Sequence, residues 1–286
     1  MKLIGYTCTY NEAEMVPYVM PYVERMEYDK FIVYDNESTD NTVELLKQYP
    51  FVEVRTYSTD GKFDEYARVD IFIKAYSEAF KMAKVGTENE EQVWLTITDF
   101  DEVLFTTHMS NFKSFLSLRH LYFKENYFSD IMINVLPKRK CDIDDLTDEK
   151  YVHLSQNAVG TLWMNWGKKT SLFLVNDFQY FETVIGHHIS SLQTRDTEQE
   201  CHSLSESGEI FGFHLKYINK KLKEKTHEEY HKRDNKIFAK DLTDLYDSFH
   251  TCSFNINEYC AKKQFEVIKN LDKQLSALSI NDKIVQ

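Results

Sequence analysis

Three acidic side chains stand within four residues directly after an apolar segment of the chain. Residues 94–105 have the sequence WLTITDFDEVLF, in which Asp99, Asp101 and Glu102 follow apolar and β-branched residues. In an extended segment residues i and i+2 point to the same side, so Asp99 and Asp101 are predicted to present oxygens to one hard cation. A divalent ion there would neutralise both carboxylates and an anionic ligand such as a diphosphate. The alternative, a solvated acidic turn, is disfavoured by the apolar segment before it.

Two further polar loops follow predicted strands. Their candidate binding residues are Thr9, Tyr10, Asn11 and Glu12 in the first loop and Asp35 and Asn36 in the second. Ligands of parallel α/β sheets bind outside the carboxyl ends of the strands, so these two loops and residues 99–102 are predicted to converge. Taken singly, Glu12 and Asp40 are better explained as acids that cap a helix or offset its dipole.

An alternation of short apolar segments and helical patterns predicts the elements that position these loops. The strand-like segments are residues 2–8, 30–35, 51–57 and 92–98. Strands that alternate with helices favour a mostly parallel sheet with helices on its faces.

Two helices in this half of the chain have clear sequence signals. Residues 64–84 carry apolar side chains at helical intervals, which are predicted to face the sheet: Val69, Phe72, Ile73, Tyr76, Phe80 and Ala83. A shorter helix is predicted to begin at Thr39 or Asp40, because Ser, Thr and Asp are good N-cap residues.

Composition narrows the class of protein. The 286 residues can form one main domain, and 34 basic against 46 acidic residues give a formal charge of −12. That charge repels phosphate backbones, so nucleic acid is not an expected partner, and an anionic ligand would need a local cation. No segment approaches the roughly 18 apolar residues of a membrane span. Five scattered cysteines and no secretory signal predict a cytoplasmic protein.

The stretches TCTYNEAEMV, FIVYDNESTDNT and TDFDEVLF resemble, in order and spacing, the nucleotide-sugar-binding half of GT-A glycosyltransferases. The likeness is to family-2-like bacterial enzymes of a D-x-D-E subgroup and covers about residues 3–105. It implies a GT-A (Rossmann-like) α/β fold with a mostly parallel sheet flanked by helices. It also implies a catalytic domain over 1–230, divided into a nucleotide-sugar half (1–105) and an acceptor and sugar half (106–230), and a C-terminal helical extension over 231–286.

The resemblance also implies roles for single residues. The loop from Thr9 to Glu12 would hold the base and contact the diphosphate, and Asp35, with Asn36 beside it, would bond the uracil or ribose. Arg68 would lie near the base or pyrophosphate. Asp99 would reach the ribose or a metal-bound water.

The metal ligands implied by the resemblance come from two places in the chain. Asp101 would ligate Mn²⁺ or Mg²⁺, with Glu102 orienting the ligands or the acceptor. Residues 209–225 resemble the segment that closes the catalytic domain of related enzymes, which makes His214 the third ligand, although Leu215 and Asn219 depart from the usual pattern. A packed histidine ring is the alternative for His214.

Site assignments in the second half of the chain rest on weaker sequence motifs. Residues 163–176 resemble the strand that lines the sugar pocket in this family, so Lys168 or Lys169 could meet a phosphate; two exposed strand-end lysines are the alternative. The usual position in the family of the base that deprotonates the acceptor falls near Glu182, with Asp177 and His188 as competitors. His187 and His188 could bind an acceptor or a metal, or lie in a surface loop.

The resulting hypothesis is an inverting, metal-dependent hexosyltransferase of surface polysaccharide synthesis, which uses a UDP-linked sugar and a glycan or glycolipid acceptor. Two alternatives remain. A haloacid-dehalogenase-type phosphatase would use Asp99 as nucleophile and Asp101 as acid/base, although Glu102 stands where that family has glycine. An inactive GT-A-like subunit would only bind partners. The C-terminal helices could pack on the domain, pair between subunits or touch a membrane surface.

Overall fold

The computed structural model describes most of the first 137 residues and separate stretches after them. The described residues are 1–62, 64–106, 112–137, 158–162, 168–182, 191–194, 206–218, 224–225, 228, 253, 255–263, 265–266 and 269. The histidine pair at 187–188 and most of the extension after 231 lie outside them.

Strands and helices alternate through the first half of the chain. In order, these elements are β1 (Lys2–Thr9), α1 (Val16–Arg25), β2 (Lys30–Asp35), α2 (Thr42–Leu46), β3 (Val52–Thr56), α3 (Glu65–Ala83) and β4 (Val93–Ile97). Strands dominate the second half: β5 (Glu102–Phe105), α4 (Phe112–Phe123), β6 (Tyr127–Pro137), β7 (Ala158–Leu162), β8 (Lys168–Leu174), β9 (Phe178–Glu182), β10 (Ser191–Thr194) and β11 (Glu206–His214). Residues 256–263 are helical.

The described strands form one nine-stranded sheet and one two-stranded sheet. The large sheet has the order β3-β2-β1-β4-β8-β6-β11-β5, and β7 pairs with β6. The first four strands are all parallel, which confirms the predicted α/β class. Strand β8 runs antiparallel to β4 and to β6, whereas β11 is parallel to β6. The carboxyl ends of β1, β2, β4 and β11 therefore lie at the same edge of the sheet.

Apolar side chains cover both faces of the sheet and form two core clusters. Side chains alternate across a strand, so Trp94 of β4 joins one cluster while Val93 and Leu95 join the other. Helices α1, α2 and α4 contribute to the Trp94 cluster, and α3 packs on the opposite face. The result is a layered α/β/α arrangement.

The predicted sheet-facing side of α3 was partly wrong. The helix has the expected length and Asp64 caps it, accepting hydrogen bonds from the Tyr66 and Ala67 backbone N–H groups. The buried residues, however, are Ile71, Phe72, Ala75, Ala79 and Ala83, and Ile73 is 46% exposed. Alanines allow the helix to lie close to the sheet, while Tyr76 and Phe80 are only partly buried.

Two further features differ from expectation or stay untested. Helix α2 begins at Thr42 rather than at Thr39 or Asp40, because residues 35–38 form a turn and the Thr39 N–H donates to the Asn11 side chain. Residues 256–263 place Ile256 and Cys260 in the core, and the proposed domain boundary near residue 230 stays a prediction.

None of the helices that the structure describes is long and apolar enough to cross a bilayer.

Candidate nucleotide and metal site

The loops after β1 and β2 are bound to each other by hydrogen bonds. The Asn36 backbone N–H donates to the Thr9 carbonyl at 2.9 Å, and the Asn11 N–H donates to Ser38 Oγ at 2.8 Å. In the other direction, Asn11 Oδ1 accepts from the Thr39 N–H at 2.7 Å. Asn11 has a φ of 53°, a left-handed conformation that asparagine adopts more readily than most residues. The two loops therefore form one platform at the edge of the sheet.

Asp35, at the end of β2, is held in place by a tight turn. Its side chain is 2% exposed and accepts from the Ser38 N–H at 2.9 Å and from Ser38 Oγ at 2.5 Å. Beside it, buried Asn36 donates from Nδ2 to Thr59 Oγ1 at 3.0 Å. This turn ends directly before Thr39, where a helix was expected to start, and it fixes Asp35 and Asn36 as neighbouring polar groups.

Thr9 adds a buried polar atom without a partner. Its side chain is 5% exposed, and Oγ1 makes no hydrogen bond within the part of the chain that the structure describes. A buried hydroxyl without a partner costs about 1–3 kcal/mol. Thr9 lies at the carboxyl end of β1 beside Asp35, since these two residues are register partners. The unsatisfied hydroxyl is therefore suited to a polar ligand at this edge.

Arg68 joins the first turn of α3 to the end of β4. Its Nη2 lies 2.6 Å from Glu65 Oε2, and its Nη1 donates to Asp99 Oδ1. The Arg68 and Asp99 side chains are 19% and 29% exposed, so solvent still reaches this ion pair. Burial raises the pKa of the adjacent Cys8 thiol to about 12, an effect that the Arg68 guanidinium opposes only in part. Cys8 therefore stays protonated at neutral pH and is not a candidate nucleophile.

The acidic motif is a turn, and this corrects the expectation that Asp99 and Asp101 point the same way along an extended segment. The Glu102 N–H donates to the Asp99 carbonyl at 3.1 Å, which closes a turn over residues 99–102. Glu102, 4% exposed, is the first residue of β5. Within this turn Asp99 pairs with Arg68, whereas Asp101 lies beside His214.

His214 lies at the carboxyl end of β11, next to the acidic turn. His214 is the register partner of Glu102, and the Leu215 N–H donates to the Asp101 carbonyl at 2.7 Å. These backbone contacts bring Asp101 Oδ2 to 3.7 Å from His214 Nε2. His214 is 3% exposed, and its Nδ1 lies 2.9 Å from Asn134 Oδ1. The buried ring therefore lies beside the acidic turn, and its role as a metal ligand stays a prediction.

The donor atoms of Asp101 and His214 lie close enough together for one cation to contact both. A separation of 3.7 Å exceeds a hydrogen bond but allows both atoms to contact one ion at the roughly 2.1 Å bond lengths of Mg²⁺–oxygen and metal–imidazole bonds. Among the described residues no three His, Cys, Asp or Glu side chains are grouped to hold a metal ion. Mg²⁺ is commonly bound through one or two carboxylates plus substrate phosphates, so a site completed by its ligand is chemically reasonable.

The remaining predicted residues are placed only in part. Asp177 follows β8 at the end where Leu174 pairs with Trp94, which is the opposite edge of the sheet, so it is not a candidate base. Lys168 begins β8 and therefore lies toward the edge that carries Asp99. Glu182 ends β9, where its backbone pairs with Ser191, but its side chain is outside the described part of the structure.

Three residues that support the site were not predicted from the sequence: Ser38, Glu65 and Asn134. Each had a modest signal. Ser38 stands three residues after Asp35, the spacing of a side-chain-stabilised turn, and Glu65 stands three residues before Arg68 on a helix. Asn134 is the polar residue within the apolar run IMINVL.

Comparison with known proteins gives only distant likenesses. No protein-family model matches the sequence, and a search of curated proteins gives no match. Similar solved structures include 4-diphosphocytidyl-2C-methyl-D-erythritol synthase from Anaerococcus prevotii DSM 20548, with 12% identity, coverage of 61% of this chain and 70% of that chain, and a TM-score of 0.26. A second 4-diphosphocytidyl-2C-methyl-D-erythritol synthase has 12% identity, coverage of 62% and 77%, and a TM-score of 0.31.

A third structure is UDP-glucose pyrophosphorylase complexed with UDP-glucose, with 10% identity, coverage of 51% of this chain and 60% of that chain, and a TM-score of 0.22. All three TM-scores lie below 0.5. The fold description therefore rests on the strand order and register of this chain, and a functional proposal rests on its own residues.

Proposed function

We propose that this chain is a metal-dependent glycosyltransferase that moves a sugar from a nucleotide sugar, with UDP-linked donors expected first, to a hydroxyl of a glycan or glycolipid, with inversion. The observation that carries the proposal is the meeting of four strand ends at one edge of the sheet. Thr9, Asp35 and Asp99 follow or end three parallel strands there, and His214 ends a fourth. The sequence motifs at three of these ends are those that resemble GT-A enzymes.

The donor would bind across the platform formed by the first two loops. Buried Thr9 Oγ1 has an unsatisfied hydrogen-bonding capacity, and Asp35 and Asn36 are polar groups held beside it. Together these groups suit the base and ribose of a nucleotide. Arg68 and a bound cation would offset the diphosphate charge, which a chain of net charge −12 otherwise repels.

Asp101 and His214 would hold Mn²⁺ or Mg²⁺. The ion, when bound, stabilises the charge that develops on the leaving diphosphate. A base must also take the proton of the acceptor hydroxyl, and Glu182 is proposed for that role on its place in the resemblance alone. Cytoplasmic location and pairing of subunits through the C-terminal helices are parts of the same proposal that the described residues leave to experiment.

The first experiment is a thermal-shift screen of UDP-, GDP- and CMP-sugars with and without Mn²⁺, because a ligand that binds the folded protein raises its apparent stability. The UDP-sugars are expected to stabilise the protein most, and only with the metal ion. Metal-dependent turnover of the stabilising donor is then measured in Asp101→Asn. Asp70→Asn, which changes an exposed acid on α3, serves as the matched control.

Loss of turnover in Asp101→Asn with normal turnover in Asp70→Asn would support the proposal. Unchanged turnover in Asp101→Asn would refute the metal assignment. A trapped aspartyl-phosphate on Asp99 would indicate the phosphatase instead, although pairing of Asp99 with Arg68 disfavours that role. Donor binding without turnover on any acceptor would indicate an inactive binding subunit.

A further inference from the structure

A buried asparagine interrupts the apolar strand β6. Asn134 is 1% exposed and lies between Ile133 and Val135, which are 0% and 1% exposed. A buried amide is unfavourable unless its polar atoms are hydrogen-bonded, so an apolar residue would be the simpler choice at this position. The function of Asn134 must therefore be sought in the group that it contacts.

That group is the imidazole of His214, which is also the register partner of Asn134 across the β6–β11 ladder. The Asn134 Oδ1 atom lies 2.9 Å from His214 Nδ1. A carbonyl oxygen only accepts hydrogen bonds, so Nδ1 must carry the proton. In a neutral imidazole the other nitrogen, Nε2, is then unprotonated and carries the lone pair in the plane of the ring.

Backbone contacts fix the position of His214 but not the orientation of its ring. The β5–β11 pairing and the hydrogen bond from the Leu215 N–H to the Asp101 carbonyl fix the distance between the two chain segments. Rotation of the His214 side chain is the freedom that these contacts do not restrict. The Tyr217 ring packs edge-on against the His214 ring, with 5.4 Å between the ring centroids. This contact limits the rotation but does not determine the tautomer.

We propose that Asn134 is a positioning residue that fixes His214 as the Nδ1–H tautomer, so that Nε2 presents its lone pair to a divalent cation shared with Asp101. The inference rests on the proposed function for the identity of the cation. Metal-binding histidines commonly donate their second ring N–H to a fixed acceptor, and loss of such an acceptor weakens metal binding by about 10–100-fold. Asn134 provides that acceptor from an interior strand of the sheet, between β8 and β11.

The first test is made without any metal. Long-range ¹H–¹⁵N correlation spectra of the imidazole groups distinguish the two neutral tautomers, and the spectrum of His214→Gln identifies the signals of His214. The Nδ1–H tautomer is expected in the metal-free protein at mildly alkaline pH. Observation of the Nε2–H tautomer there would overturn the inference, whatever the variants do.

The second test is titration with Mn²⁺ followed by electron paramagnetic resonance. Asn134→Leu keeps the approximate size of the side chain but removes the acceptor, so Mn²⁺ affinity is expected to fall about 10–100-fold. Asn134→Asp retains an acceptor oxygen and is expected to retain most of the affinity. A merely structural role would not separate these two variants in this way.

Asn176→Leu is the matched control. Asn176 is also a buried asparagine, but it binds the Val93 N–H at the opposite edge of the sheet. Its replacement is expected to lower stability in urea and leave Mn²⁺ affinity unchanged. Wild-type affinity in Asn134→Leu would refute the inference about Asn134 alone, whereas a wild-type protein that binds no Mn²⁺ would refute the metal site of the proposed function.

Discussion

Ser38 joins the two loops of the candidate nucleotide site, so its hydroxyl is the most informative single group to remove. Ser38 Oγ donates to Asp35 Oδ1 at 2.5 Å and accepts from the Asn11 N–H at 2.8 Å. In Ser38→Ala both bonds are lost, and a buried carboxylate oxygen and a loop N–H lose their partner. The Ser38 N–H still donates to Asp35, so the turn itself is expected to persist.

The size of the effect can be worked out from the two bonds. A hydrogen bond to a charged group contributes about 1.5–3 kcal/mol and a neutral one about 0.5–1.5 kcal/mol. Ser38 and Asn11 are half-buried, so water can replace part of what is lost, and we expect a local cost of about 2 kcal/mol. Hydrogen exchange of the Asn11 amide should then accelerate about 30-fold, because 1.4 kcal/mol corresponds to a factor of ten.

Native-state hydrogen exchange resolved to residues 9–13 and 35–42 is the suitable assay, with donor binding measured by calorimetry alongside it. Thr39→Ala is the control, because Thr39 is exposed and its Oγ1 is 3.4 Å from Asn11 Oδ1. Exchange at Asn11 that is unchanged in Ser38→Ala, or changed equally in Thr39→Ala, would show that Ser38 does not hold the loops together.

Two further predictions concern the core. A Cβ atom at Gly5 would overlap Phe31 and lie 2.9 Å from Tyr28 Cε1, so Gly5→Ala should lower the free energy of unfolding in urea by about 1–3 kcal/mol, with partial recovery in a Gly5→Ala/Phe31→Leu double variant. An unchanged midpoint would contradict this. Burial raises the pKa of the Cys260 thiol from 9.0 to about 12, so its contribution to stability is complete below pH 9 and is lost as the pH rises to 12. Urea unfolding of Cys260→Ala across that range should show a smaller loss with pH than the wild type, and equal slopes would refute the reasoning.

Much of the first half of the fold could be predicted from local sequence. Strands β1 to β4 begin and end within one residue of their predicted bounds. Continuous apolar runs bounded by polar residues are typical of buried parallel strands. Helix α3 was predicted to within one residue at each end. Its packing side was predicted only in part. Phe72 and Ala83 are buried as expected, whereas close packing on the sheet selected Ala75 and Ala79 over the larger apolar side chains.

Strands β5 and β11 were not predicted. Strand β5 has four residues and directly follows the acidic turn, so its signal is too short to separate from the motif. Strand β11 contains Gly208 and Gly212 and follows a polar stretch. Both strands are stabilised by partners far away in the chain, and a local pattern holds no information about those partners.

One sequence is enough to identify the residues that end the strands of the site. Polar and acidic residues follow β1, β2 and β4, and parallel strands bring such ends to one edge, so the convergence of Thr9, Asp35 and Asp99 could be inferred before the structure was known. The apolar runs and the polar residues that end them are short-range information, which one sequence contains.

The division of the acids between two partners depends on contacts between distant parts of the chain. The turn at 99–102 directs Asp99 to Arg68, 31 positions earlier in the chain, and leaves Asp101 beside His214. Asn134, 80 positions before His214, contacts the imidazole nitrogen that faces away from Asp101. These pairings depend on strand order and register between distant segments, and the side chains of one segment do not specify the partner that folding brings to it.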